Sequence, residues 1–177
     1  MAEALCAGCL NWRSAVDESC IPFTYSYPID RLIRALKFHA DLVAAHDLAQ
    51  LLLEQLVGKP MPECVVPVPL HPRRLIERGY NQALELARPL ALQLELPLDC
   101  FSCQRVRHAP PQTELDAKAR RRNVRRAFAV RQRLHWRHVA ILDDVVTTGS
   151  TVEELAKALK RAGARRIQVW AVARGGT

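Results

Sequence analysis

Asp143 and Asp144 stand side by side at the end of a short apolar run, Val139-Ala-Ile-Leu142. Thr147-Thr148-Gly149-Ser150-Thr151 follows after Val145 and Val146. Adjacent carboxylates can accept hydrogen bonds from a diol such as a ribose. The hydroxyl-bearing turn, with one glycine free to take positive φ, leads into a helical pattern. The unpaired N–H groups and positive dipole end of a helix N-terminus suit a phosphate. Sugar-hydroxyl acceptors and a phosphate cup therefore lie next to each other. A merely capped turn needs neither two carboxylates nor the four hydroxyls that follow them.

These residues must be positioned by a strand and a helix. Val139–Leu142 reads as a strand buried on both faces, which the two aspartates end. Val152, Leu155, Ala156, Leu159 and Ala162 recur at helical spacing. Ser150 with Glu153 reads as a capping box, and Gly163 as the glycine that closes the helix. Arg166–Ala173 reads as a further strand.

A second place for phosphate follows another apolar stretch, Cys64-Val-Val-Pro-Val-Pro-Leu-His71. Pro67 and Pro69 exclude continued central pairing, so a tight loop begins here. Pro69, Leu70, His71, Arg73 and Arg74 form that loop, with Arg78 close behind. Guanidinium groups take phosphate oxygens in a fork. Upstream, residues 30–57 read as two helices. Asp30 is expected to cap the first, which ends at Leu36-Lys37-Phe38-His39. The second runs from about Asp41 to Val57, with Leu42 among its inward residues. A further helix spans about Asn81 to Leu94, with Pro89 inside it. Strand and helix alternate, which predicts an α/β fold with right-handed βαβ units and a parallel sheet. Ligands bind such sheets beyond the carboxyl ends of the strands.

The motif Val139–Thr151 closely resembles the phosphoribosyl-diphosphate (PRPP) binding motif of type I phosphoribosyltransferases. More widely, residues 30–174 are similar to the ComF-type phosphoribosyltransferase-like proteins linked to bacterial competence. Leu36-Lys37-Phe38, Val66-Pro67-Val68-Pro69, Arg78-Gly79-Tyr80-Asn81-Gln82 and Gln112-x-x-Leu115-x4-Arg120-x-x-Asn123-x4-Phe128 carry that likeness. It implies a type I phosphoribosyltransferase-like fold: a parallel sheet of about five strands flanked by helices. It implies that Asp143 and Asp144 hold the ribose and are the catalytic pair. Val145, Thr147, Thr148, Gly149, Ser150 and Thr151 complete the PRPP site, and Pro69–Arg74 bind pyrophosphate. Gln112, Arg120, Arg121, Arg122 and Asn123 would belong to a flexible loop. The implied chemistry is Mg²⁺-assisted transfer of phosphoribosyl to an acceptor that the sequence does not identify.

The likeness also divides the chain into residues 1–28, with a cysteine-bearing remnant, and a domain over 29–177. Relatives of this type usually carry a four-cysteine zinc module. Here Cys6-x-x-Cys9 is one half of it. Cys6 and Cys9 are thus zinc-ligand candidates without their upstream pair, and less than stoichiometric zinc is expected. Cys100 and Cys103 read as small residues flanking a strand.

The 177 residues suffice for one α/β domain. No apolar run approaches the roughly 18 residues a membrane helix requires, so no membrane insertion and a cytoplasmic location are expected. The net charge is 26 − 18 = +8, which suits an anionic partner. From Lys118 to Arg137 there are nine Lys or Arg and no Asp or Glu. This basic stretch makes single-stranded DNA a second expected partner. It supports an alternative class, a non-catalytic accessory of DNA uptake acting with competence proteins. Only Phe128 and Trp136 interleave with the basic residues there, fewer aromatics than single-strand platforms usually have. A P-loop nucleotidase is excluded: Gly58-Lys59 is followed by Pro60, not by Ser or Thr.

Overall fold

The computed structural model describes residues 14–107 and 126–176. Cys6 and Cys9 lie outside the described residues, as do Gln112, Arg120, Arg121, Arg122 and Asn123.

Five parallel strands form the sheet: β1 (Glu18–Cys20), β2 (Phe23–Thr24), β3 (Cys64–Pro67), β6 (His138–Val146) and β7 (Arg166–Arg174). The order is β1-β7-β6-β3, with β2 also pairing β7. A separate antiparallel hairpin joins β4 (Cys103–Arg105) to β5 (Phe128–Val130). The helices are α1 (Ile29–His39), α2 (Leu42–Glu54), α3 (Pro72–Arg78), α4 (Gln82–Gln93) and α5 (Ser150–Arg161).

Successive side chains of a strand point to opposite faces, and β6 uses both. Val139 and Ile141 join a core with α5 and the β4–β5 hairpin. Ala140 and Leu142 join a second core with α1, α2 and α4. A sheet covered on both sides explains why its strands read as continuous apolar runs.

Several local expectations differ. The strand does not end at the aspartates: β6 continues through both to Val146. Gly149, at φ 74°, caps α5 through its backbone, with no side-chain capping bond. Glu153 is thus no capping-box partner; it accepts instead from Ser14 Oγ at 2.8 Å and from the Ala15 N–H at 3.1 Å. Gly163 does close α5. Its N–H reaches Lys160 O, and that of Ala164 reaches Leu159 O, the paired pattern of a Schellman ending. Asp30 does not cap α1, whose N-cap is Pro28 without a side-chain bond. Asp41 does cap α2, accepting from the N–H groups of Val43 and Ala44. That helix stops at Glu54, and Leu42 in its first turn is exposed, not inward. Arg73 and Arg74 are not in a loop. They lie in α3, which His71 caps by accepting from the Arg73 N–H at 3.2 Å.

Candidate functional site

Among the described residues, the acidic pair and the hydroxyl turn lie at the carboxyl end of β6, and the arginine-bearing segment follows β3, its neighbour in the sheet. Because β6 extends through the aspartates, the pleat sends them to opposite faces. Asp144 follows the row of Ala140 and Leu142, and its Oδ2 meets Lys37 Nζ at 2.8 Å. It is 6 % exposed. Its Oδ1 accepts from the Val145 N–H at 2.7 Å, and Asp143 Oδ1 accepts from the Asp144 N–H at 2.9 Å.

Asp143 is half-buried. Burial, and then the neighbouring Asp144 carboxylate, raise its carboxyl well above the usual range. Lys37 and the Asp144 N–H pull the other way without cancelling this. An acid held in this condition binds readily to anything that supplies hydrogen-bond donors or positive charge.

The hydroxyl turn forms a small cup of about 40 Å³, lined by Asp143 and by Val145 through Val152. Thr148 Oγ1 and Ser150 Oγ lie 2.7 Å apart and share a hydrogen bond. The N–H groups of Thr151 and Val152, in the first turn of α5, have no intrahelical acceptor. Gly149 gives the turn its left-handed residue, and a Cβ placed on it would meet nothing within 4 Å. Gly175, just past β7, lies beneath the cup. There a Cβ would come within 3.1 Å of Val145 Cγ1 and 3.2 Å of Thr147 Cγ2.

A second cavity, of about 200 Å³, is lined by Leu70, His71, Arg74, Arg78 and Arg105. Three guanidinium groups share it, with no carboxylate in the lining. Burial pushes the Arg105 guanidinium below its usual value; Asp143 counters this and Arg74 adds to it. Arg105 Nε is buried without a hydrogen-bond partner among the described residues. Its guanidinium carbon sits 5.7 Å from the Phe128 ring centroid, a cation–π distance. A buried, unsatisfied guanidinium donor beside two other arginines is a ready anion site.

Of the residues named for a pyrophosphate loop, Leu70, His71 and Arg74 line this cavity. Pro69 and Arg73 are not in its lining. Lys37 and Arg105 were not singled out as site residues by the sequence. Lys37 arrives from α1 through the tertiary fold, and Arg105 sits on a strand of three residues, too short for a periodic pattern.

The phosphoribosyl transferase domain family matches residues 80–177. A DNA utilization protein YhgH of Salmonella typhi is 39 % identical over 96 % of this chain and 77 % of its own length. The chain belongs to the ComF-type phosphoribosyltransferase-like family. Competence protein F of Haemophilus influenzae is 36 % identical to this ComF-type chain, over 96 % of it and 78 % of the relative. Competence protein ComFC of Streptococcus pneumoniae is 25 % identical over 86 % of the chain and 66 % of the relative. This ComF-type chain has a type I phosphoribosyltransferase fold, with the aspartates on β6 and the hydroxyl turn leading into α5.

The described residues include no group of three or more His, Cys, Asp or Glu able to hold a metal by themselves. Burial pushes the thiols of Cys64 and Cys103 up to about 12. No helix among the described residues is long and apolar enough to cross a membrane.

Proposed function

We propose that this chain binds PRPP together with Mg²⁺ and transfers its phosphoribosyl group to an acceptor. One observation carries the reading. The hydroxyl cup lined by Asp143 follows β6, and the three-arginine cavity is lined by Leu70, His71 and Arg74 just past β3, the strand paired with β6. A ligand with a phosphate at one end, a diol in the middle and a diphosphate at the other matches that sequence of groups.

In this reading Asp143 and Asp144 accept from the ribose hydroxyls. The Thr147–Thr151 hydroxyls and the α5 N–H groups hold the 5′-phosphate. Arg74, Arg78 and Arg105 take the diphosphate. The acceptor's electron pair forms the new bond to C1 of the ribose, and the C1–O pair leaves on the diphosphate. Charge grows on that diphosphate, where fixed guanidinium donors are most effective. Mg²⁺, when bound, offsets charge on the same oxygens. It commonly takes one or two carboxylates plus substrate phosphates. The acidic pair Asp143 and Asp144, with one carboxyl already held high by burial and by its neighbour, fits that demand.

Calorimetric titration tests the reading. PRPP with Mg²⁺ should bind, and ribose 5-phosphate should bind more weakly. The double variant Asp143→Asn, Asp144→Asn keeps the shape and removes the charge. Hydrogen bonds to charged groups are worth about 1.5–3 kcal/mol against about 1 for neutral ones. The variant should therefore lose at least about tenfold in affinity. No heat from the wild-type chain at millimolar PRPP and Mg²⁺ would remove the transferase reading.

A second reading is then favoured: a DNA-handling accessory that keeps the fold as a scaffold. The net charge of +8 and the basic run Lys118–Arg137 support it. So do the words "DNA utilization" and "competence" in the names of the relatives.

A further inference from the structure

The far end of α5 borders a cavity that the PRPP reading leaves without a role. It measures about 420 Å³ and is lined by Val130, Gln132 and Arg133, at the end of β5 and just past it, and by Arg161, Ala162 and Gly163 at the end of α5. Its volume lies in the range of small-molecule sites. An α-helix rises about 1.5 Å per residue, so the last residue of α5 stands roughly 16 Å from the first, where the hydroxyl cup lies.

The walls are fixed to one another. Leu134 is buried, and its N–H donates to Ala162 O at 3.0 Å, which pins the loop after β5 to the end of the helix. Arg133 lies along Gly163, where a Cβ would stand 3.8 Å from Arg133 Cγ. A helix C-terminus ordinarily repels an anion through its free carbonyls. Here Leu159 O accepts from the Ala164 N–H, Lys160 O from the Gly163 N–H and Ala162 O from Leu134, so these three are already engaged.

The charge of the lining is positive. Arg133 and Arg161 are exposed, neither makes an ion pair among the described residues, and no carboxylate lines the cavity. Glu154, which feels the Arg161 charge, is held by Lys157 Nζ at 3.0 Å and by the Arg126 N–H at 2.9 Å. Nearby cations are engaged elsewhere. Lys160 meets Asp17 at 2.9 Å, Arg166 pairs with Glu18, and Arg131 donates to Gln104 Oε1 at 3.0 and 3.2 Å. A positive cavity with Asp17 and Glu18 beyond its rim suits a compact anion better than a long polyanion. Two guanidinium groups take phosphate oxygens in forks. The Val130 side chain and the Arg133 stem add apolar surface, and a guanidinium face stacks on a planar ring.

We infer that this cavity binds a nucleoside monophosphate apart from PRPP, with Arg133 and Arg161 on the phosphate and the base against Val130 and the Arg133 stem.

The probe is adenosine 3′-monophosphate, titrated into the full chain. Its phosphate sits on a ribose hydroxyl, so it has neither the diol nor the 5′-phosphate that the aspartates and the cup would take. It should bind at least about tenfold tighter than adenosine, since hydrogen bonds between charged groups are the stronger ones. The double variant Arg133→Gln, Arg161→Gln should lose that advantage. It should melt as wild type does, because neither guanidinium has an ion pair to lose. The Asp143→Asn, Asp144→Asn chain should bind the probe as wild type does. No binding at millimolar probe, equal binding by the arginine double variant, or loss of binding in the aspartate double variant would overturn the assignment. So would inorganic phosphate binding as tightly as the nucleotide, or oligodeoxythymidylate displacing the probe at lower concentration than free thymidylate, which would give the cavity to a strand. PRPP binding is read separately, and its failure would leave this site standing.

Discussion

At the scale of single residues, the site depends on groups held away from their preferred state. Asp143 is the clearest. Its folded-state carboxyl lies above the unfolded value, because burial and Asp144 disfavour its charge. The stability this contributes is fully present below the ordinary carboxylate range. It is lost as pH rises toward the raised value, by at most about 1.36 kcal/mol per pH unit. Asp143→Asn does not titrate. Urea unfolding near pH 5 and near pH 7.5 should show the variant gaining on wild type as pH rises, even though it binds PRPP less well. A difference between the two chains that is the same at both pH values would show that Asp143 is not held high. Arg105 is the counterpart on the cationic side. Replacing it with Gln should weaken PRPP by about tenfold, the lower part of the range for a charged hydrogen bond. Ribose 5-phosphate, which has no diphosphate, should bind the Arg105→Gln chain and wild type alike in the same titration.

At the scale of elements, the cup is shaped by a neighbour far away in sequence. Gly175 follows β7, donates its N–H to Val146 O at 3.0 Å and lies against Val145 and Thr147. Gly175→Ala places a methyl at 3.1–3.2 Å from those side chains. Overpacking of this kind costs roughly 1–3 kcal/mol, and here it displaces the first hydroxyl of the cup. Thermal unfolding should show the lower stability. Titration should show weaker ribose 5-phosphate binding, the ligand Arg105→Gln spares. The strand, turn and helix of the cup were readable because they are local: Val139 through Ala162 keep one pattern in one stretch. The capping box was misread because Gly149 in the left-handed region caps α5 with its backbone, a choice the spacing of Ser150 and Glu153 does not reveal. β1, β2, β4 and β5 are two or three residues long, shorter than any period they would have to display. Lys37 and Arg105 could not be placed because their partners lie across the fold. The Leu36-Lys37-Phe38 resemblance marked the first without giving its role.

At the scale of the whole molecule, the parallel sheet was expected from alternating strands and helices, and the surplus of positive charge bears on partners. If the run Lys118–Arg137 contacts single-stranded DNA, affinity should fall with salt. The logarithmic slope is about −0.7 per phosphate contacted. Replacing Arg121, Arg122, Arg125 and Arg126 with Ala should flatten that slope in a fluorescence anisotropy titration. The same binding by the quadruple variant would assign the patch to another partner.

The contact between Lys37 and Asp144 joins the helical layer to the sheet. A ligand that engages Asp144 and loosens the pair frees the Lys37 ammonium at the end of α1. Such a ligand and an anion that engages Lys37 would change each other's affinity by the same factor, since coupling between two ligands is reciprocal.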